Sequence, residues 1–216
     1  NHRDIAAQLD ASDIVVVNGE GTLHGREAAG PRALLAIMAA AKHKGKAVYL
    51  LNHSVFPDDS LEPSDADAPY LGVLSTLDGI ATRDEFSAAF YRRHNVAAVA
   101  AFDCLPLFIS QRFPEIIAEK SVKPYVVVTN GVNMQQHVFE KMLDEAVERY
   151  GADHKIIYLL GSSGSLPSED ERAVNFIRNH YVQGGRIEIR NAARFDEFLT
   201  LINEAKLLIT GRFHYI

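Results

Sequence analysis

The stretch Asp13–Leu51, DIVVVNGEGTLHGREAAGPRALLAIMAAAKHKGKAVYLL, decides the fold class. Asp13–Val17 is a short apolar run that reads as a buried strand. A glycine-bearing loop, Asn18–Gly25, follows it. A helix is predicted from about Pro31 to Lys44, with proline in its first turn and Gly45 placed to end it. Lys46–Leu51 is the next apolar strand. Strand, helix and strand at this spacing make a βαβ unit, which implies a parallel sheet with a right-handed crossover.

The same rhythm runs outward from this unit. Asp4–Ala11 precedes it as a short amphipathic helix. Helices are predicted over Tyr70–Thr76 and from Arg83 to His94, strands over Gly79–Thr82 and Val96–Ala101, and a helical turn over Leu105–Ser110. Residues 113–123, with mixed charge between Pro114 and Pro124, read as a linker. Beyond it the pattern restarts. Tyr125–Thr129, Lys155–Leu160, Arg186–Ile189 and Leu207–Ile209 are strands, and Met134–Tyr150, Pro167–Tyr181 and Phe195–Ala205 are helices. The expected organisation is an N-terminal Rossmann-like domain, 1–112, and a C-terminal one, 124–216. The chain opens inside a helix and stops just after Arg212 and His214, so a piece of a longer protein is expected.

Composition narrows the partners. The chain has 216 residues, 47% hydrophobic and 23% charged, as in ordinary soluble domains. A formal net charge of -6 gives no general attraction to nucleic acid or anionic lipid. No apolar run approaches the roughly 20 residues that span a bilayer, and a cytoplasmic location is expected. The single cysteine, Cys104, forms no internal disulfide and no multi-cysteine zinc site. No metal-ligating motif is present, so no metal is expected.

In open parallel sheets ligands sit beyond the carboxyl ends of the strands, and the chemistry-bearing residues fall there. Asn18, Gly19, Glu20, Gly21 and Thr22 follow the first strand. Glycines let a backbone approach a ligand, while the Glu20 carboxylate suits a sugar hydroxyl or a base better than a phosphate. His24 lies just beyond, and His53 and Ser54 end the next strand, so Glu20, His24 and His53 can converge. Arg83 ends a third strand, with Asp84 placed to cap the following helix. In the second half, Asn130-Gly131 and Gly161-Ser162-Ser163-Gly164 are Gly/Ser loops after strands. The terminal LLITGRFHYI puts Arg212 and His214 beyond the last strand, where a planar guanidinium can hold carboxylate or phosphate and an imidazole can move a proton.

Taken in order, Asp13–Thr22, Arg83–Ser87 with Asn95-Val96, Phe102-Asp103 and Leu208–Tyr215 resemble the polysaccharide pyruvyl transferase family along nearly the whole chain. Two departures stand out: Glu20 occupies the place of a glycine, and Cys104-Leu105 follow Asp103. The resemblance implies two Rossmann-like α/β domains with parallel sheets facing a cleft, similar to GT-B glycosyltransferases. It implies phosphoenolpyruvate as co-substrate, with no cofactor, and a glycan or lipid-linked sugar as acceptor, which can bring the protein to the inner face of the membrane. By the motif, Arg212 and His214 are then donor-site residues; the expected catalytic residues are His214, Arg212 and Glu20, with the base to be found among Glu20, His24 and His53. Arg83, Arg212, Asn130, Gly131, Gly161, Ser162 and Ser163 are expected at the donor, and Asn18, Gly19, Gly21, Thr22, His24, His53 and Ser54 at the acceptor. Two other readings stand beside it, a GT-B glycosyltransferase using a nucleotide sugar and a non-catalytic glycan-binding module.

Overall fold

The computed structural model describes residues 2–23, 29–55, 67–119, 121–131, 134–161, 168–181 and 185–211. The chain divides into two compact units, 1–106 and 107–216, each built on one parallel sheet. Among the described residues, no helix is long and apolar enough to cross a membrane.

Unit 1 runs α1 (His2–Ala11), β1 (Ile14–Glu20), α2 (Ala29–His43), β2 (Ala47–His53), α3 (Ala68–Leu74), β3 (Gly79–Thr82), α4 (Glu85–Arg93) and β4 (Val99–Ala100). Its strand order is β1-β2-β3-β4, the order of the sequence. Each crossover therefore steps the same way across the sheet, and right-handed crossovers that do so lay their helices on one face. The core agrees. Leu9, Leu35, Met38, Tyr70, Leu74 and Phe90 from the helices share one buried cluster with Val17, Val48, Leu50 and Ile80 from the strands. The alternate strand residues face the other way, and Ile14 and Val16 are 59% and 58% exposed.

Two differences from the sequence reading shape the strand ends of unit 1. β1 continues through Asn18 and Gly19 to Glu20, which pairs with His53, so the loop begins at Gly21. The strand predicted over Val96–Ala101 pairs only at Val99 and Ala100. Val96 instead bonds back to the Tyr91 carbonyl at 2.9 Å, through a left-handed Asn95 with φ 57°, and closes the end of α4.

α5 (Cys104–Arg112) spans the boundary between the units. Unit 2 continues with α6 (Pro114–Ala118), β5 (Lys123–Thr129), α7 (Gln136–Tyr150), β6 (Lys155–Leu159), α8 (Ser168–His180), β7 (Ile187–Arg190), α9 (Phe195–Asn203) and β8 (Ala205–Thr210). α6 lies within the stretch read as a linker, and Asn203 Nδ2 donates to the Ile116 and Glu119 carbonyls at 2.7 and 2.8 Å, tying it to α9. The strand order is β7-β6-β5-β8. β5, β6 and β7 step one way and β8 returns past them, so α9 lies opposite α7 and α8. One cluster packs Phe139, Leu143, Ala173 and Ile177 on Val126, Val128, Ile156 and Tyr158. A second, on the other face, packs Phe198, Leu201 and Ile202 on Val127, Ile157 and Leu159.

Candidate functional site

In unit 1 the carboxyl ends of the four strands are joined by backbone and side chain alike. The Ser54 N–H donates to the Glu20 carbonyl (2.8 Å), the Arg83 N–H to the His53 carbonyl (2.9 Å) and the Ala101 N–H to the Thr82 carbonyl (2.7 Å). Side chains repeat the stitching. Arg83 Nη1 pairs with Asp103 Oδ2 at 3.0 Å, and Arg83 Nε donates to Ser54 Oγ at 2.7 Å. Ser54 therefore directs its own hydrogen to Asp84 Oδ2. Asp84 Oδ1 takes the Ser87 N–H at 2.7 Å, the expected cap of α4. The arginine and aspartate side chains of the pair are only 9% and 8% exposed, so Arg83 is a buried, structured cation rather than an outward fork. Burial pushes the Asp84 carboxyl up, but bonds from Ser54 and Ser87 and the Arg83 charge outweigh it, leaving Asp84 below the ordinary carboxylate range.

Glu20 and Asn52 both hold left-handed backbone, with φ of 41° and 53°. Such non-glycine conformations persist only where the surroundings enforce them. Asn52 marks an irregularity in β2, whose register with β3 shifts between Leu50 and His53. Leu50 points in and Leu51 out, and the shift turns His53 back into the core. His53 is fully buried, with Nε2 2.6 Å from the Tyr91 hydroxyl. Burial first and the Asp84 charge second push that hydroxyl's pKa far up, so Tyr91 keeps its proton. Gly19 lies over the same ring: a Cβ there would stand 3.0 Å from His53 Cβ and 2.8 Å from Leu50 Cδ1. Thr22 closes the turn at Gly21 by bonding back to the Gly19 carbonyl.

Glu20 is exposed and takes the Asn18 amide. The structure thus brings Asn18 and Glu20 together in the open and places His53 and Ser54 in the buried layer. His24 lies outside the described residues.

In unit 2 the strand order reverses between β5 and β8, the place where open α/β sheets form a crevice. Thr129 and Thr210 meet there through their hydroxyls at 2.7 Å. Just beyond them, Gly131 and Gly211 abut: a Cβ on Gly131 would stand 2.8 Å from the Gly211 oxygen, and one on Gly211 2.9 Å from Gly131 Cα. Only glycines allow this approach. Asn130 is buried and its Oδ1 accepts the Gly131 N–H at 2.8 Å. At the end of β6, the Gly161 N–H donates to Asp170 Oδ2 at 3.0 Å, while the Tyr158 hydroxyl donates to Asp170 Oδ1 at 2.7 Å. Both backbone donors are thus engaged by the protein itself. Ser162, Ser163, Arg212 and His214 lie outside the described residues, although Arg212 directly follows Gly211 in the chain.

Sequence reasoning passed over Asn52 and Tyr91 as site residues. Asn52 carried a signal: an asparagine near the end of an apolar strand is out of place on propensity and at home in left-handed backbone. Tyr91 carried none, being one apolar position of an amphipathic helix.

The two parallel sheets define the class: a two-unit α/β protein of the Rossmann-like, GT-B-like kind. The fold is shared with UDP-GlcNAc 2-epimerase from Methanocaldococcus jannaschii, whose complex with UDP-GlcNAc and UDP matches at TM-score 0.60 and 17% identity over 99% of this chain and 59% of that one. A Staphylococcus aureus MnaA–UDP structure matches at TM-score 0.62 and 14% identity over 97% and 57%. UDP-GlcNAc 2-epimerase from Neisseria meningitidis bound to UDP-GlcNAc matches at TM-score 0.54 and 12% identity over 95% and 57%. The chain spans less than three fifths of the length of these structures. Comparison with curated proteins gives no significant match. The polysaccharide pyruvyl transferase family model matches residues 1–215, and the chain belongs to that family.

Proposed function

We propose that the protein transfers a pyruvyl group from phosphoenolpyruvate to a sugar of a surface polysaccharide, closing a ketal across two hydroxyls. The family match over residues 1–215 carries this reading. The donor bears a carboxylate and a phosphate. Arg212, which follows Gly211 in the chain, supplies the fork for them, and Asn130, Gly131, Gly161, Ser162 and Ser163 are the other donor-site residues of this reading. His214 gives a proton to the methylene carbon, which makes C2 electrophilic. One sugar hydroxyl attacks C2, inorganic phosphate leaves, and the second hydroxyl closes the ketal. Of the two hydroxyl protons released, one replaces the proton given by His214 and the other leaves on phosphate. Glu20 is the base for the attacking hydroxyl. Its exposure and the Asn18 amide beside it support that role. Arg83 serves the same site by ordering the strand ends beside Glu20. An acceptor carried on a lipid would place the reaction at the cytoplasmic face of a membrane.

The fold neighbours favour a second reading, since solved examples hold UDP or UDP-GlcNAc. A thermal-shift titration separates the two. A ligand bound only by the folded state raises the melting temperature. The proposal expects a rise with phosphoenolpyruvate that is lost in Arg212→Ala. A rise with UDP-GlcNAc and none with phosphoenolpyruvate overturns it in favour of the nucleotide-sugar reading.

A further inference from the structure

Asn52 joins three segments of unit 1 with one amide. The Cys104 N–H at the start of α5 donates to Asn52 Oδ1 at 3.3 Å, Asn52 Nδ2 donates to Asn18 Oδ1 at 3.0 Å, and Asn18 Nδ2 donates to Glu20 Oε1 at 3.1 Å. The direction of this chain is dictated from one end. A backbone N–H can only donate, so Asn52 must turn its oxygen to Cys104 and its amino group to Asn18. Asn18 must then turn its own oxygen to Asn52, which leaves its amino group for Glu20. Flipping either amide sets like atoms against each other. A backbone donor some way along the chain thus decides that Glu20 meets a hydrogen-bond donor and not an oxygen.

We propose that Asn52 is a positioning residue: through Asn18 it aims the Glu20 carboxylate at the acceptor hydroxyl. The inference rests on Glu20 being the base in the proposed transfer. The backbone adds a second argument. Asn52 holds φ 53° and Glu20 φ 41° on adjacent strand ends. Glycine would adopt the Asn52 conformation with no strain, but it has no amide to pass the direction on. Of glycine, aspartate and asparagine, the residues that visit left-handed backbone most readily, only asparagine offers both an acceptor for Cys104 and a donor for Asn18.

Asn52→Gly therefore separates the relay from the fold. The test compares wild type, Asn52→Gly and Asn52→Asp in phosphoenolpyruvate-dependent transfer, in melting temperature, and in the nitrogen-15 resonance of the Asn18 side-chain amide. Aspartate still accepts from Cys104 but cannot donate to Asn18. In Asn52→Gly the account expects kcat to fall at least about tenfold, with KM for phosphoenolpyruvate within about twofold. It expects the melting temperature to be kept or raised and the Asn18 resonance to move. Asn52→Asp should lose kcat as well and move the same resonance. An unchanged kcat in Asn52→Gly, an unmoved Asn18 resonance, or a loss of kcat matched by a loss of melting temperature overturns the proposal. Absence of any transfer by the wild type overturns the pyruvyl-transfer reading instead. The Asn18 resonance then judges the relay alone, a shift supporting it and no shift overturning it.

Discussion

The two sheets of this protein use the same element types and differ in one respect, the direction in which strands are added. In unit 1 each strand joins on the same side of its predecessor, every crossover helix falls on one face, and one apolar core results. In unit 2 the return of β8 past β5 throws α9 to the opposite face and gives a core on both sides. The strand ends differ accordingly. At the reversal in unit 2 the backbone itself shapes the crevice, with Gly131 against Gly211 over a pair of threonine hydroxyls. The described strands of unit 1 are added in one direction, and side chains shape their ends: a largely covered ion pair, a relayed serine hydroxyl and two asparagines. The comparison teaches that parallel strands added in one direction can still organise polar groups at their carboxyl ends, provided a charged network crosses them.

The largest expected effect comes from breaking that network. Arg83→Met removes the guanidinium paired with the largely covered Asp103 carboxylate, and unit 1 should lose about 3–5 kcal/mol in a denaturant titration. A loss under about 1 kcal/mol would show that the strand ends of unit 1 hold without their ion pair, and the contrast with unit 2 would fail.

Next in size is a matched pair of truncations. Val127 is fully buried in the core beneath α9 of unit 2, and Val127→Ala should cost about 2–3 kcal/mol through lost burial and a residual cavity. Val16 lies midway along β1, an edge strand of the first sheet, and faces away from the core, and Val16→Ala should stay within about 0.5 kcal/mol. Equal costs at the two valines would mean that the outer face of unit 1 is covered in solution.

A smaller effect lies in pH. Because the folded state holds Asp84 below its ordinary carboxylate pKa, its contribution to stability is present above that ordinary value. It is lost as pH falls through the depressed folded value. Acid melting of the wild type should therefore show a loss below about pH 4 that Asp84→Asn flattens. An identical acid slope in the variant would remove Asp84 from the network.

Much of this architecture is legible in the sequence. The βαβ rhythm of Asp13–Leu51 and its repetition after Tyr125 give the two parallel sheets. The capping role of Asp84 follows from its place before Glu85–Arg93. What period and propensity leave out is the bulge at Asn52. Alternation along an ideal strand sends His53 outward, toward Glu20. One left-handed residue turns it inward, onto Tyr91. The pairing of Arg83 with Asp103 is equally silent in the sequence, because a guanidinium at a strand end reads as exposed until the neighbouring strand supplies its carboxylate. The backbone donors at Gly131 and Gly161 follow the same pattern, since Asn130 and Asp170 engage them only in the folded chain.

The central claim, pyruvyl transfer, is tested most directly with phosphoenolpyruvate labelled with carbon-13 at C2 and a surface-glycan acceptor, followed by carbon and phosphorus NMR. The account predicts a ketal carbon in the glycan, inorganic phosphate in equal amount, and neither product with Glu20→Gln. Labelled donor that stays unconsumed with a competent acceptor, or label recovered only as free pyruvate, would contradict it.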